Sequence, residues 1–153
     1  MIGPFSGEYR YLSNFWVEPK RGGLTNEHFY QAEKTLVPEQ RAFVMRAKSA
    51  GEAKRRGAMV DLRPDWDQVK DGVMLSGLRN KFYLDADLRD ALVSTGDEEL
   101  VEVNTWGDNY WGRELHQFYD GSQVLGPGRN MLGILLMQVR EEFQWTKYES
   151  SKP

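Results

Sequence analysis

Residues 65–83 read DWDQVKDGVMLSGLRNKFY, and this stretch decides the fold class. Trp66, Val69, Val73, Met74, Gly77, Leu78 and Phe82 recur at steps of three and four. That spacing lays one apolar stripe along five turns of a helix. Asp65 follows Pro64 and stands three residues before Gln68, the pattern of an N-cap with its reciprocal partner. Working outward, residues 130–145 carry a second stripe of Met131, Leu132, Leu135, Leu136, Val139 and Phe143. A third helix is predicted to open at Thr25 and run to about Leu36, ahead of Pro38, with shorter ones over 39–48, 50–58 and 86–94. Strand patterns are sparse and fall at 9–12, 15–17 and 100–103. The sum is a predominantly helical α+β class with a small β component, too poor in strands for a doubly wound sheet.

The chain has 153 residues, 40% of them hydrophobic and 28% charged, which suits one domain. We read a single domain over 1–148 and a frayed tail over 149–153. Cysteine is absent, which excludes disulfides, a thiolate nucleophile, zinc–thiolate sites and iron–sulfur clusters. Apolar runs are far shorter than the ~20 residues of a membrane span, and the start lacks the pattern of a signal peptide. The expectation is a soluble cytoplasmic protein with no membrane partner. The net charge of −3 argues against an indiscriminate nucleic-acid coat. Yet residues 40–63 hold Arg41, Arg46, Lys48, Lys54, Arg55, Arg56 and Arg63 against only Glu52 and Asp61. Such a segment either receives phosphates or is a solvated helix face.

Several familiar chemistries fail on spacing. The four-residue gaps of Gly121–Gly126 and Gly128–Gly133 are followed by Pro127 and Ile134, where a phosphate-loop lysine must stand. His28 and His116 have no metal-ligand spacing, and no serine sits in a Gly-x-Ser-x-Gly elbow. No metal or cofactor is expected.

Three segments carry chemistry. On a helix from Thr25, Glu27, Tyr30, Gln31 and Lys34 share a face, with the carboxylate and the amine about 10 Å apart along the axis, as a reactive pair or as an exposed polar face. The segment Asn104-Thr105-Trp106-Gly107-Asp108-Asn109-Tyr110-Trp111-Gly112 crowds aromatics into a glycine-punctuated loop. It either stacks on a ring, with Asn104 and Asp108 as polar contacts, or plugs the core. Gly126-Pro127-Gly128-Arg129-Asn130 opens the last helix, as a phosphate site or as an ordinary capped turn.

Taken together, these segments resemble the NADAR family of YbiA-like N-glycosidases. The shared pieces are Tyr11-Leu12-Ser13-Asn14-Phe15, Thr25 through Lys34, and Trp66-Asp67-Gln68-Val69-Lys70 through Lys81-Phe82. Further pieces are Thr95-Gly96-Asp97, Leu100-Val101-Glu102, Trp106-Gly107-Asp108, Tyr110-Trp111-Gly112 and Gly128 through Gly133, ending at Val139-Arg140. They cover roughly residues 5–145 in the family's order. The long stretch 113–127, with His116, Phe118, Tyr119 and Asp120, departs from the family pattern and bears on substrate choice.

The resemblance implies a single YbiA-like domain that cleaves the bond between ribose C1 and a nitrogen of a base or aminopyrimidine. The implied partner is a substrate containing ribose phosphate or ADP-ribose: a phosphorylated riboflavin-synthesis intermediate, or ADP-ribose on guanine in DNA or RNA. Glu27, Lys34 and Asp108 are the implied catalytic residues. Ser13, Asn14, Phe15, His28, Gln31, Asn104, Trp106, Trp111, Gly128, Arg129 and Asn130 are the implied substrate contacts. The favoured chemistry is a Schiff base on Lys34 with Glu27 as general acid and base. The rivals are a two-carboxylate glycosidase using Glu27 and Asp108, and a module that binds ADP-ribose or NAD without turnover.

Overall fold

The computed structural model describes residues 1–153. The chain divides into two compact units, one of residues 14–86 and one of residues 1–13 with 87–153.

The first unit holds four helices. They are α1 (Asn26–Ala32), α2 (Pro38–Met45), α3 (Ala50–Gly57) and α4 (Trp66–Leu84), preceded by a 3-10 turn at Pro19–Arg21. Helix α1 packs on α2, α3 and α4. Ala32, Val44, Ala47 and Ala53 form a small buried cluster, with Met45 and Val60 against it. The α4 stripe is correct in register, since Trp66, Met74, Leu78 and Phe82 are buried. Val69 and Val73 stay half-buried because they line an open cleft of 680 Å³ with Phe29 and Arg63. The expected Asp65 cap is absent: its carboxylate takes Arg63 Nε at 2.6 Å and Nη2 at 3.0 Å instead. A bidentate guanidinium holds a carboxylate more strongly than a backbone amide does.

Helix α1 is four residues shorter than predicted. Thr35 Oγ1 accepts the Val37 N–H at 3.1 Å, and Pro38 opens α2. Both hold residues 35–37 out of helical geometry. Lys34 therefore lies in the turn after α1.

The second unit holds α5 (Ala86–Ser94, apart from its first residue), α6 (Met131–Ser150) and three short strands, β1 (Val103–Asn104), β2 (Arg113–Gln117) and β3 (Gln123–Leu125). The sheet order is β1-β2-β3. β1 runs parallel to β2 with Val103 opposite Arg113, and β3 is antiparallel to β2 with Leu115 opposite Leu125. Leu132, Leu135, Leu136 and Val139 are the buried face of α6, as the stripe predicted. The helix continues to Ser150, two residues into the segment expected to fray.

The three predicted strands are corrected. Residues 7–12 form a 3-10 helix, and residues 15–17 lead from a turn at 14–15 into a lone bridge between Glu18 and Leu24. In place of a strand over 100–103 there is a parallel bridge from Leu100 to Ile2 and then the two-residue β1. The stretch 113–127 turns out to contain the β2–β3 hairpin.

No helix is long and apolar enough to cross a membrane.

Candidate active site

In the unit of residues 14–86, the start of α1 is tightly framed. Thr25 Oγ1 accepts the His28 N–H at 3.4 Å, and His28 Nδ1 accepts the Thr25 N–H at 3.2 Å, a reciprocal cap. His28 Nε2 donates to the Ala47 carbonyl at 2.8 Å, tying α1 to the α2–α3 connection. Asn26 Nδ2 donates to Asn14 Oδ1 at 3.0 Å, and the Glu27 N–H donates to the Asn14 carbonyl at 3.1 Å. The polar atoms of His28 and Asn14, expected to touch substrate, are thus engaged in building the frame around Glu27. Ser13 closes the Gly7–Leu12 turn with its N–H on the Arg10 carbonyl, and Phe15 is exposed.

Glu27 is 6% exposed, and Gln31 Nε2 donates to its Oε1 at 2.7 Å. Lys34 is half-buried, and its carbonyl accepts the Arg63 N–H at 2.8 Å. Its Nζ lies 5.7 Å from the centre of the Tyr30 ring, which packs on Trp66 with centroids 5.2 Å apart. Burial pushes the Lys34 ammonium below the ordinary lysine value; the Glu27 carboxylate pulls it back up, and Lys54 on α3 pushes it down again. The net effect enriches the neutral, nucleophilic amine. Sequence spacing placed Glu27 and Lys34 on one helical face, and their electrostatic coupling survives the early end of α1.

Sequence reasoning missed a buried lysine. Lys81 is 1% exposed, and burial pushes its pKa down to about 7, against the raising effect of Glu18, while Arg21 lowers it further. Arg21 donates from Nε and Nη2 to the two Glu18 oxygens at 2.8 and 2.7 Å, and from Nη2 to Asn26 Oδ1 at 3.0 Å. The available signal was position: Lys81 falls three residues after Leu78 and seven after Met74, on the apolar stripe.

In the other unit, the segment 104–112 is organised by its polar residues. Asn104 Oδ1 accepts the N–H groups of Trp106 and Asp108 at 3.2 and 3.0 Å, and its Nδ2 donates to the Asp108 carbonyl at 2.7 Å. Asp108 Oδ1 accepts from Tyr110 and Trp111 at 3.1 and 2.9 Å. These are the Asx-type turns that short polar side chains favour. Trp106 is left 64% exposed, and Trp111 meets Tyr110 edge-on at 5.1 Å.

The start of α6 differs from expectation in one respect. The N–H groups of Arg129, Asn130, Met131 and Leu132 donate to the carbonyls of Asn109, Gly112, Tyr110 and Trp111. These amides are therefore occupied, and the Arg129 guanidinium, 4.8 Å over the Tyr110 ring, is the group this turn offers an anion. Gly128 lies against the backbone of Gly112 and Arg113, with no room for a side chain. Asn130 is 6% exposed and locked onto residues 100–102, with Nδ2 on the Leu100 carbonyl at 2.8 Å and Oδ1 on the Glu102 N–H at 3.0 Å.

A family model described as NADAR domain matches residues 4–144. The chain is 40% identical over 143 residues to N-glycosidase YbiA of Escherichia coli (strain K12), covering 90% of this chain and 83% of that protein. It is 38% identical to riboflavin biosynthesis protein VVA0006 of Vibrio vulnificus over 78% of this chain, but spans only 30% of that longer protein. Among solved structures, the NMR structure of the E. coli protein YbiA is similar with a TM-score of 0.77 at 36% identity, covering 97% of this chain and 86% of that one.

Proposed function

Because this chain belongs to the NADAR domain family and is an N-glycosidase like its curated relatives, we propose that it works through a Schiff base. Lys34 forms that bond with ribose C1 while Glu27 moves the protons. The observation that carries this reading is the half-buried Lys34, its ammonium destabilised by burial and by Lys54, within electrostatic reach of Glu27.

The substrate is a riboside on an exocyclic amine. Ring opening moves the C1–O4′ electron pair to O4′, the Glu27 carboxylate carries the proton of the base nitrogen to O4′, and an imine is left between C1 and that nitrogen. Neutral Lys34 Nζ adds to C1, and its two protons pass in turn through Glu27 to the base nitrogen. The base then departs as a neutral amine, leaving the sugar on Lys34 as a Schiff base. Water adds to C1, and Lys34 leaves as the sugar aldehyde forms. The site needs an amine that is neutral at working pH and one carboxylic group that both gives and takes protons.

Phosphorylated aminopyrimidine ribosides of riboflavin synthesis are the first substrate class, supported by the name of the Vibrio relative. ADP-ribose on guanine in DNA or RNA is the second, favoured by Arg46, Lys48, Lys54 and Arg55, which are exposed on and before α3. Both classes bring an exocyclic amine, a ribose and a phosphate.

The deciding experiment incubates the protein with each substrate, with and without borohydride. Loss of base from one substrate, together with a borohydride-dependent mass gain at Lys34, is the expected outcome. Base loss with no trapped adduct would replace this route by the two-carboxylate one. No base loss from either substrate would remove both substrate classes.

A further inference from the structure

Gln31 is 3% exposed. It lies one turn after Glu27 on α1, and its Nε2 donates to Glu27 Oε1 at 2.7 Å. The other end of the amide is confined. Oε1 is buried and accepts no hydrogen bond from the protein. It is pressed against Gly57 at the end of α3, where an added Cβ would lie 2.8 Å from Gln31 Cδ and 2.9 Å from Gln31 Cβ. A buried amide oxygen without a donor costs stability. The amide carries that cost while keeping its N–H on Glu27. The reverse orientation would set Oε1 against the Glu27 carboxylate, acceptor against acceptor, unless Glu27 were protonated.

We infer that Gln31 is a positioning residue that holds Glu27 aimed and ionised, with Gly57 as the wall against which its amide is braced. The inference rests on the reading of Glu27 as the proton-transferring group. A donor on the charged form lowers a carboxyl pKa, so removing the donor raises it. The charged surroundings of Glu27 come from several elements. Lys34 approaches from the turn after α1, and Lys54 of α3 acts on Lys34. His28, the next residue on α1, is committed to Ala47. On α4, which packs on α1, Lys81 is buried, and its charged neighbours are Glu18 and Arg21.

The test titrates the Glu27 side-chain carboxyl by carbon-13 NMR in the native chain, in Gln31→Met and in Gly57→Ala. Gln31→Met keeps the length and volume of the side chain while removing the donor. Its Glu27 pKa should rise by about 1–2 pH units, the worth of one hydrogen bond to a charged group. Gly57→Ala, whose added Cβ would press on Gln31, should raise it part of the way. In both variants the acid limb of kcat/KM should move with it, while KM stays near the native value. A Glu27 titration left unmoved in folded Gln31→Met would overturn the inference, whether or not Gly57→Ala folds. The NMR titration uses no substrate, so a wrong substrate or mechanism shows separately, as a native chain without turnover.

Discussion

Asn130 combines a left-handed backbone with a buried side-chain bridge, and the two can be separated by substitution. Its φ is 51°, a region costly for a residue with a Cβ. Its amide satisfies two backbone groups of the same segment, the Leu100 carbonyl and the Glu102 N–H. Asn130→Gly removes both hydrogen bonds and relaxes the backbone. Each buried group left without its partner costs roughly 1–2 kcal/mol, so the loss should be about 2–4 kcal/mol. Asn130→Ala removes the same bonds and adds the strain of a left-handed alanine, about 1 kcal/mol more. Urea denaturation at fixed m-value measures both, and a loss of 3 kcal/mol corresponds to a fall in Tm of about 6–12 °C for a chain of this size. A glycine variant as stable as the native chain would show that the bridge contributes nothing. A glycine variant less stable than the alanine one would show that the positive φ is not a source of strain.

Further outcomes follow from the same geometry. Lys34→Ala and Lys34→Arg should both abolish turnover and borohydride trapping, since neither offers a neutral amine; near-native turnover of Lys34→Ala would transfer the chemistry to Glu27 and Asp108. Glu27→Gln should still bind substrate, measured by calorimetry, and lose about 10²–10⁴-fold in kcat. Arg129→Ala should raise KM more than it lowers kcat; an unchanged KM would move the phosphate contact to Lys54 and Arg55. Lys81 has a folded pKa of about 7 against an unfolded value of about 10.4, so the unfolded chain binds more protons between those values and native stability gains from rising pH across that window. Lys81→Met should flatten that rise, read as the difference in urea midpoint between pH 7 and pH 9.5; an identical rise in both chains would place the titrating group elsewhere.

The sequence by itself determined what depends on neighbours three or four positions away. The stripes of α4 and α6 were legible because a buried face repeats with the helical period whatever it packs against. So was the pairing of Glu27 with Lys34, since seven residues of near-helical chain bring the two within electrostatic reach. The NADAR resemblance was legible from the order of its motifs. Only the tertiary structure decided how each polar group is used. Asn104, Asp108, Asn130, His28 and Asn14 are residue types that bind a ligand or a backbone equally well, and here each is engaged with the protein's own backbone or a neighbouring side chain. The choice depends on which chain segment comes within about 3 Å, a distance set by residues up to thirty positions away. The early end of α1, the 3-10 turn at residues 7–12 and the β2–β3 hairpin have the same cause: side-chain bonds and short-range pairing outweighed weak local patterns. Lys81 is the sharpest case. Its place on an apolar stripe could be counted, but its burial beside Glu18 and Arg21 required the segment 18–24 to fold back on itself, through contacts that helical spacing does not encode.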